Sequence, residues 1–185
     1  ARLEAGAAAE TMVPVDLAGV VGDIAELYEP AAEEQGLTLA VSAEPGLRAI
    51  AIANRELVSQ AVANLVDNAI KYSAAVLVPA GAGEAGAATR HQEICIALNR
   101  VGDAIEIAVG DRGPGIATQD RDRALQRFVR LEKSRSRPGA GLGLSLVAAV
   151  ARMHGGSVRL EDNEPGLRAV LSIPVKEEGS RAIRQ

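Results

Sequence analysis

The order of apolar and polar positions predicts a chain in which helices and strands share one core. Between 17 and 34, Leu17, Val20, Val21, Ile24, Leu27 and Tyr28 recur at three-and-four spacing, which predicts an amphipathic helix ended near Gly36. LTLAVSA at 37–43 alternates as a strand does, and EPG at 44–46 is a turn leading into LRAIAI. The economical expectation there is a hairpin. From 54 to 72, Leu57, Val58, Ala61, Val62, Leu65, Val66, Ala69 and Ile70 keep a helical period, so a long helix with one buried face is expected. EICIALNR at 93–100 and AIEIAVG at 104–110 alternate around Val101-Gly102-Asp103 and predict a second hairpin. A short helical pattern follows at about 118–129, LGLSLVAAVARMH reads as an apolar helix, and SVRLED and RAVLSIP supply two last strands. PAGAGEAGAATR at 79–90 carries no pattern that could pack and reads as a connector. The expected architecture is α+β: a two-layer α/β sandwich with a mixed β-sheet and helices on one face.

Composition adds constraints. The 185 residues suffice for one domain, and 48% are hydrophobic but only 2% aromatic, so the core must be filled by Ala, Val, Leu and Ile. The net charge of -4 excludes the basic footprint of a nucleic-acid binder. Cys95, the one cysteine, cannot form an internal disulfide, and its place between Ile94 and Ile96 suits a strand better than a redox site. No apolar run reaches the ~20 residues that span a bilayer, so a soluble segment in the cytoplasm is expected, compatible with a parent protein anchored in the inner membrane. ARLEAGAAAE looks like the end of a helix that starts upstream, giving an expected division into a helix tail at 1–12, a domain at 13–176 and a tail at 177–185.

Three segments carry candidate chemistry. On the helix at 54–72, Asn64, Asn68, Lys71 and Tyr72 stack at i, i+4, i+7 and i+8. Such a stripe is either a solvated face or an oxygen ligand for a hard cation beside a phosphate-binding lysine. DRGPGI at 111–116 follows a strong strand: its Asp111 is either part of a surface turn or a carboxylate held to accept from an amino group such as that of adenine. There Gly113 and Gly115 let backbone pass close to a flat ligand. GAGLGL at 139–144 opens an apolar helix with Gly139, Gly141 and Gly143, exposing backbone N–H groups to an anion. It follows no strand, which disfavours a Rossmann site, and no Walker loop is present. Arg130, Lys133, Arg135 and Arg137 form a dense basic cluster just before it, suited to neutralising phosphate.

In order, NLVDNAIKYS, DRGPGI, RFVRLEKSRSRPG and GAGLGLSLV resemble the N, G1, F and G2 boxes of the catalytic, ATP-binding (Bergerat) domain of sensor histidine kinases in the GHKL superfamily. The resemblance covers about 12–175. It implies ATP or ADP held between helices and sheet under a lid at about 128–142. Asn68 would ligate Mg²⁺, Asn64 would contact phosphate or the metal's shell, and Lys71 a phosphate. Tyr72 would line the adenine or ribose side, Asp111 would bind the adenine amino group, and Gly113, Gly115 and Ile116 would shape that pocket. Phe128 would anchor the lid and Arg130 reach the γ-phosphate, with Gly139, Gly141, Leu142, Gly143 and Leu144 holding phosphates and seating the lid. Catalysis would fall to Asn64, Lys71 and Arg130.

The resemblance also discriminates within the superfamily. Gyrase-like and mismatch-repair ATPases and the anti-sigma-factor serine kinases carry a Glu base where this chain has Asn64, and an amide takes no proton at neutral pH. The implied activity is therefore transfer of the γ-phosphoryl group of Mg-ATP to a histidine elsewhere. Neither His91, before Gln-Glu, nor His154, before Gly-Gly, sits in a phosphoacceptor box, so the partner implied is the dimerisation and phosphoacceptor domain of the same parent. Through it the partner would be a response regulator, with the parent a homodimer and this segment alone a monomer. The alternatives are a nucleotide-dependent regulatory interaction module and a free-standing GHKL ATPase.

Overall fold

The computed structural model describes residues 12–77, 92–126 and 143–175. The expected connector at 79–90, lid at 128–142 and C-terminal tail at 177–185 lie outside the described residues, as does the upstream helix tail apart from Met12. The elements are β1 (Val13–Asp16), α1 (Leu17–Glu34), β2 (Leu37–Ala43), β3 (Ile50–Ala53), α2 (Arg55–Leu77), β4 (Gln92–Val101), β5 (Ala104–Gly110), α3 (Thr118–Ala124), α4 (Gly143–Met153), β6 (Ser157–Asp162) and β7 (Leu167–Pro174).

Five strands make the main sheet in the order β2-β4-β5-β7-β6, with β2 parallel to β4 and every other pair antiparallel. Alternation sends Ile94, Ile96, Leu98, Ile105, Ile107, Val109, Leu171 and Ile173 to one face, where they are buried under α1, α2 and α4. Val58, Ala61, Val62, Leu65, Val66 and Ala69 meet them from α2. The expected α+β two-layer sandwich with a mixed sheet is the observed one.

The expected first hairpin is not formed. β2 pairs with β4, a pairing that Glu44 N–H extends by donating to Leu98 O (3.0 Å), and β3 instead pairs antiparallel with β1 in a separate two-stranded sheet. The physical reason is burial. The side chains Ala49, Ala51 and Ala53 are buried beside the start of α1, whose Leu17 N–H donates to Ala49 O (2.7 Å). The second hairpin forms as expected, in the register Val101↔Ala104 to Cys95↔Gly110.

Helix ends are specified locally. Asp16 caps α1 by accepting from Ala18 N–H (3.0 Å), and Asn54 caps α2 by accepting from Leu57 N–H (3.0 Å). The Asn54 N–H itself donates to His154 Nε2 (3.0 Å), while His154 Nδ1 donates to Val150 O (2.7 Å). A buried neutral imidazole thus fastens the end of α4 to the beginning of α2.

Candidate active site

The site gathers the polar edge of α2, the start of α4 and the loop after β5. Helix α2 runs to Leu77, five residues past the expected end. Its period buries Leu65, Val66, Ala69 and Ile70 and turns Asn64, Asp67, Asn68 and Lys71 to the other side. Asn64 Nδ2 donates back to Gln60 O (2.8 Å), which spends its donor on its own helix and leaves Oδ1 outward. That oxygen lies 3.2 Å, and Asn68 Nδ2 also 3.2 Å, from where a β-carbon on Gly143 would stand. The first residue of α4 therefore approaches both amides because it is a glycine. Among the described residues no hydrogen bond engages the Asn68 side chain.

Lys71 is half-exposed and ion-paired with Asp67, one turn earlier (2.5 Å). Tyr28, which the pattern assigned to packing alone, stands beside this pair: burial raises its pKa first, the Asp67 charge raises it further, and Lys71 partly opposes both. It also packs against the core.

Asp111 is buried at the end of β5, 5% exposed. Its Oδ1 accepts from Gly113 N–H (2.8 Å) and Leu167 N–H (3.0 Å), which leaves Oδ2 without a donor among the described residues. Burial pushes the Asp111 carboxyl above the ordinary aspartate range, and these two N–H groups pull partly against it. A β-carbon on Gly113 would lie 3.0 Å from the Tyr72 carbonyl, so the loop rests directly on the backbone of α2. Gly115 has φ +68, and a β-carbon there would meet Gly166 O at 2.9 Å. Arg121, on α3, donates from Nε to Ile116 O (3.1 Å) and ion-pairs with Asp162. Ile116 and Leu144 are partly buried against the core.

Several residues here were not singled out by the sequence. Buried Ser73 accepts the Arg112 N–H on its Oγ (3.2 Å), Asn163 Nδ2 donates to Asp111 O (2.7 Å), and Asp67 holds Lys71. Asp67 sits at i−4 from the lysine, the one visible signal; Ser73 and Asn163 act on backbone and leave no spacing to read. The structure therefore brings together Asn64, Asn68, Gly143 and, through backbone contact, Tyr72, Asp111 and Gly113. Phe128, Arg130, Gly139, Gly141 and Leu142, with Lys133, Arg135 and Arg137, lie outside the described residues, as does His91.

No cluster of three or more His, Cys, Asp or Glu side chains that could hold a metal occurs among the described residues. A cation here would depend on an amide oxygen and on ligand oxygens. Exposed Cys95 has its thiol pKa raised by partial burial and by Glu93, which makes it a poor nucleophile. Among the described residues no helix is long and apolar enough to cross a membrane.

Residues 53–177 match the family model of the histidine kinase-, DNA gyrase B-, and HSP90-like ATPases. Over 95% of its length the chain is 34% identical to the sensor-like histidine kinase SenX3 of Mycolicibacterium smegmatis, of which it spans 42%. The mycobacterial sensor histidine kinase MprB superposes with a TM-score of 0.69 at 27% identity, covering 88% of this chain and 97% of that one. The fold also matches full-length ShkA in complex with AMPPNP, with a TM-score of 0.73 at 24% identity over 92% of this chain and 32% of that one. With a two-layer fold, a buried aspartate after β5 and a glycine-led helix set against paired asparagines, the chain belongs to the histidine kinase-, DNA gyrase B- and HSP90-like ATPase family, in which it corresponds to the catalytic, ATP-binding domain of the sensor histidine kinases.

Proposed function

We propose that this domain binds Mg-ATP and passes the γ-phosphoryl group to a histidine on the dimerisation domain of its parent protein, which relays it to a response regulator. The observation that carries this reading is the pairing of Asn64 and Asn68 around Gly143, two amides where a hydrolase needs a base. The carboxylate on the same stripe, Asp67, is engaged with Lys71. Water is thus poorly activated, and a nucleophile that brings its own base is favoured.

Under this reading the free Asp111 Oδ2 accepts from the adenine amino group, and Gly113, Gly115 and Ile116 form the wall beside the base. Tyr72 flanks the adenine or ribose. The N–H groups of Gly143 and Leu144 at the start of α4 are assigned to the phosphates, and Gly139, Gly141 and Leu142, outside the described residues, are assigned the same role from the sequence. Asn68 fits a magnesium ligand, since no described residue hydrogen-bonds its amide and Gly143 leaves space in front of it; Mg²⁺ would there neutralise phosphate charge. Lys71 and Arg130 stabilise charge on the transferring group, and Phe128 anchors the lid. The acceptor imidazole nitrogen forms the new N–P bond as the bond to the ADP oxygen breaks, while Asn64 orients and takes no proton. His154 is excluded as acceptor by burial and by the engagement of both ring nitrogens.

The test is γ-labelled ATP with Mg²⁺, given to this chain alone and to the same chain joined to its native upstream segment. The expected result is nucleotide binding without self-labelling in the first and phosphohistidine in the second. Binding with no phosphohistidine in either would favour a regulatory nucleotide-dependent module, and rapid steady-state hydrolysis by the isolated chain a free-standing ATPase.

A further inference from the structure

The turn between β6 and β7 is built onto Asp111 more closely than strand pairing requires. Asn163 Nδ2 donates to Asp111 O (2.7 Å), and Asn163 N–H donates to Gly166 O (3.2 Å). The next residue, Leu167, donates its N–H to Asp111 Oδ1 (3.0 Å) and accepts from Asp111 N–H (2.9 Å). The ring closes on itself: the side chain of Asn163 holds the backbone of Asp111, and the turn that Asn163 closes holds its carboxylate. Packing is tight, for a β-carbon on Gly166 would stand 1.9 Å from Asp111 O, and one on Gly110 would stand 3.1 Å from Asn163 Nδ2. Arg112 Nη1 reaches Asn163 O (3.4 Å), and Ser73 fixes the Arg112 N–H from the side of α2.

We infer that Asn163 is a positioning residue for base selection: by fixing the backbone and one oxygen of Asp111, it aims the other oxygen at the amino group of the bound base. This rests on the nucleotide reading above. A buried carboxylate free to turn would place its charge wherever desolvation is least, and would lose discrimination between an amino group and a carbonyl on the base. Asn163 makes its hydrogen bonds with Asp111, Gly166 and Arg112, and among the described residues none with Asn64, Asn68 or Gly143, so phosphate binding should be indifferent to it.

The experiment titrates ADP and IDP, which differ in that the inosine base carries a carbonyl in place of the adenine amino group, into the wild-type chain and three variants. Asn163→Ala removes the donor; Asn163→Asp keeps the size and turn preference but sets an acceptor against the Asp111 carbonyl. Glu164→Gln, in the same turn, is the control. Expected are a wild-type preference for ADP, retained in Glu164→Gln, and a loss of roughly 5- to 10-fold in ADP affinity in both Asn163 variants, as for one lost hydrogen bond of consequence. IDP affinity should stay unchanged, so the ratio collapses, which general loosening of the fold would not produce. An unchanged ratio in a folded Asn163 variant, or equal losses for both nucleotides, overturns the inference while leaving the nucleotide reading standing. A wild-type chain that binds neither nucleotide overturns both.

Discussion

Asp111 is placed at a cost. A carboxylate at 5% exposure, with its pKa raised by burial, is more easily accommodated neutral than ionised. The sign follows from linkage: the folded pKa lies above the unfolded value near ~3.9, so destabilisation sets in as pH rises through that value and is present at neutrality. Asp111→Asn should therefore keep or raise Tm at pH 7, since its Oδ1 still accepts from Gly113 and Leu167, while ADP affinity falls by tenfold or more, ~1.4 kcal/mol, as a donor meets the adenine amino group. A thermal melt and a titration check it; lost stability with retained binding would contradict it. Gly143 gives the complementary case. An added methyl gains ~1 kcal/mol of helix propensity but presses on Asn64 and Asn68 at 3.2 Å. Gly143→Ala should leave Tm nearly unchanged, read in the same melt, and weaken Mg-dependent nucleotide binding by about tenfold. At this scale the ends of the site were legible, because asparagines in a helix and glycines at its start are costly residues that stand out. Asn163 and Ser73 were not, since a side chain that serves another residue's backbone leaves no periodicity.

Elements follow the same division. The apolar period located α1, α2 and α4, and burial of one stripe selects the face: on α1 Leu17, Val20, Val21 and Ile24 are buried as expected, whereas Leu27, on the same expected stripe, is 69% exposed. The pattern could not assign strand partners: β2 and β3 alternate as hairpin strands do, yet β2 takes β4, and β3 takes β1. Alternation specifies a face, whereas pairing depends on segments distant in sequence. The joint between α4 and α2 is a second feature of that kind. His154→Ala would strip the Asn54 N–H of its acceptor in a partly buried place, and a destabilisation of ~1–3 kcal/mol is expected by denaturant titration. Because α2 carries the asparagines and α4 carries Gly143, weaker nucleotide binding should accompany it, whereas phosphohistidine formation in the parent should persist if His154 is structural.

For the molecule as a whole, scarcity of aromatics leaves the core to Ile, Val, Leu and Ala, and the second face of the sheet carries a network of charge across β5, β6 and β7. Ala108 and Val170 point away from the helices yet are buried. On that same face Arg159 reaches across to grip Glu106 with both terminal nitrogens (2.6 and 2.8 Å), donates to Glu161 (2.6 Å), and Arg168 joins Glu161 (2.8 Å). Hydrogen bonds from Arg159 lower the pKa of both glutamates. Their stabilisation is thus present above the ordinary glutamate value of ~4.3 and fades as pH falls through the lowered folded values. Glu106→Gln should cost about 1 kcal/mol at pH 7 and progressively less on acidification, read as converging melts. The fold class was legible from the order of elements, and the family from four boxes in sequence, but this charged network was not, because its members look like any solvated strand face. On the function proposed above, the domain holds adenine through Asp111 and Mg-phosphate through Asn68. Calorimetric titration of ADP with and without Mg²⁺ into the wild type, Asp111→Ala and Asn68→Ala tests it most directly: Asp111→Ala should abolish binding, Asn68→Ala should remove only the Mg²⁺-dependent part, and equal binding by all three proteins would contradict the account.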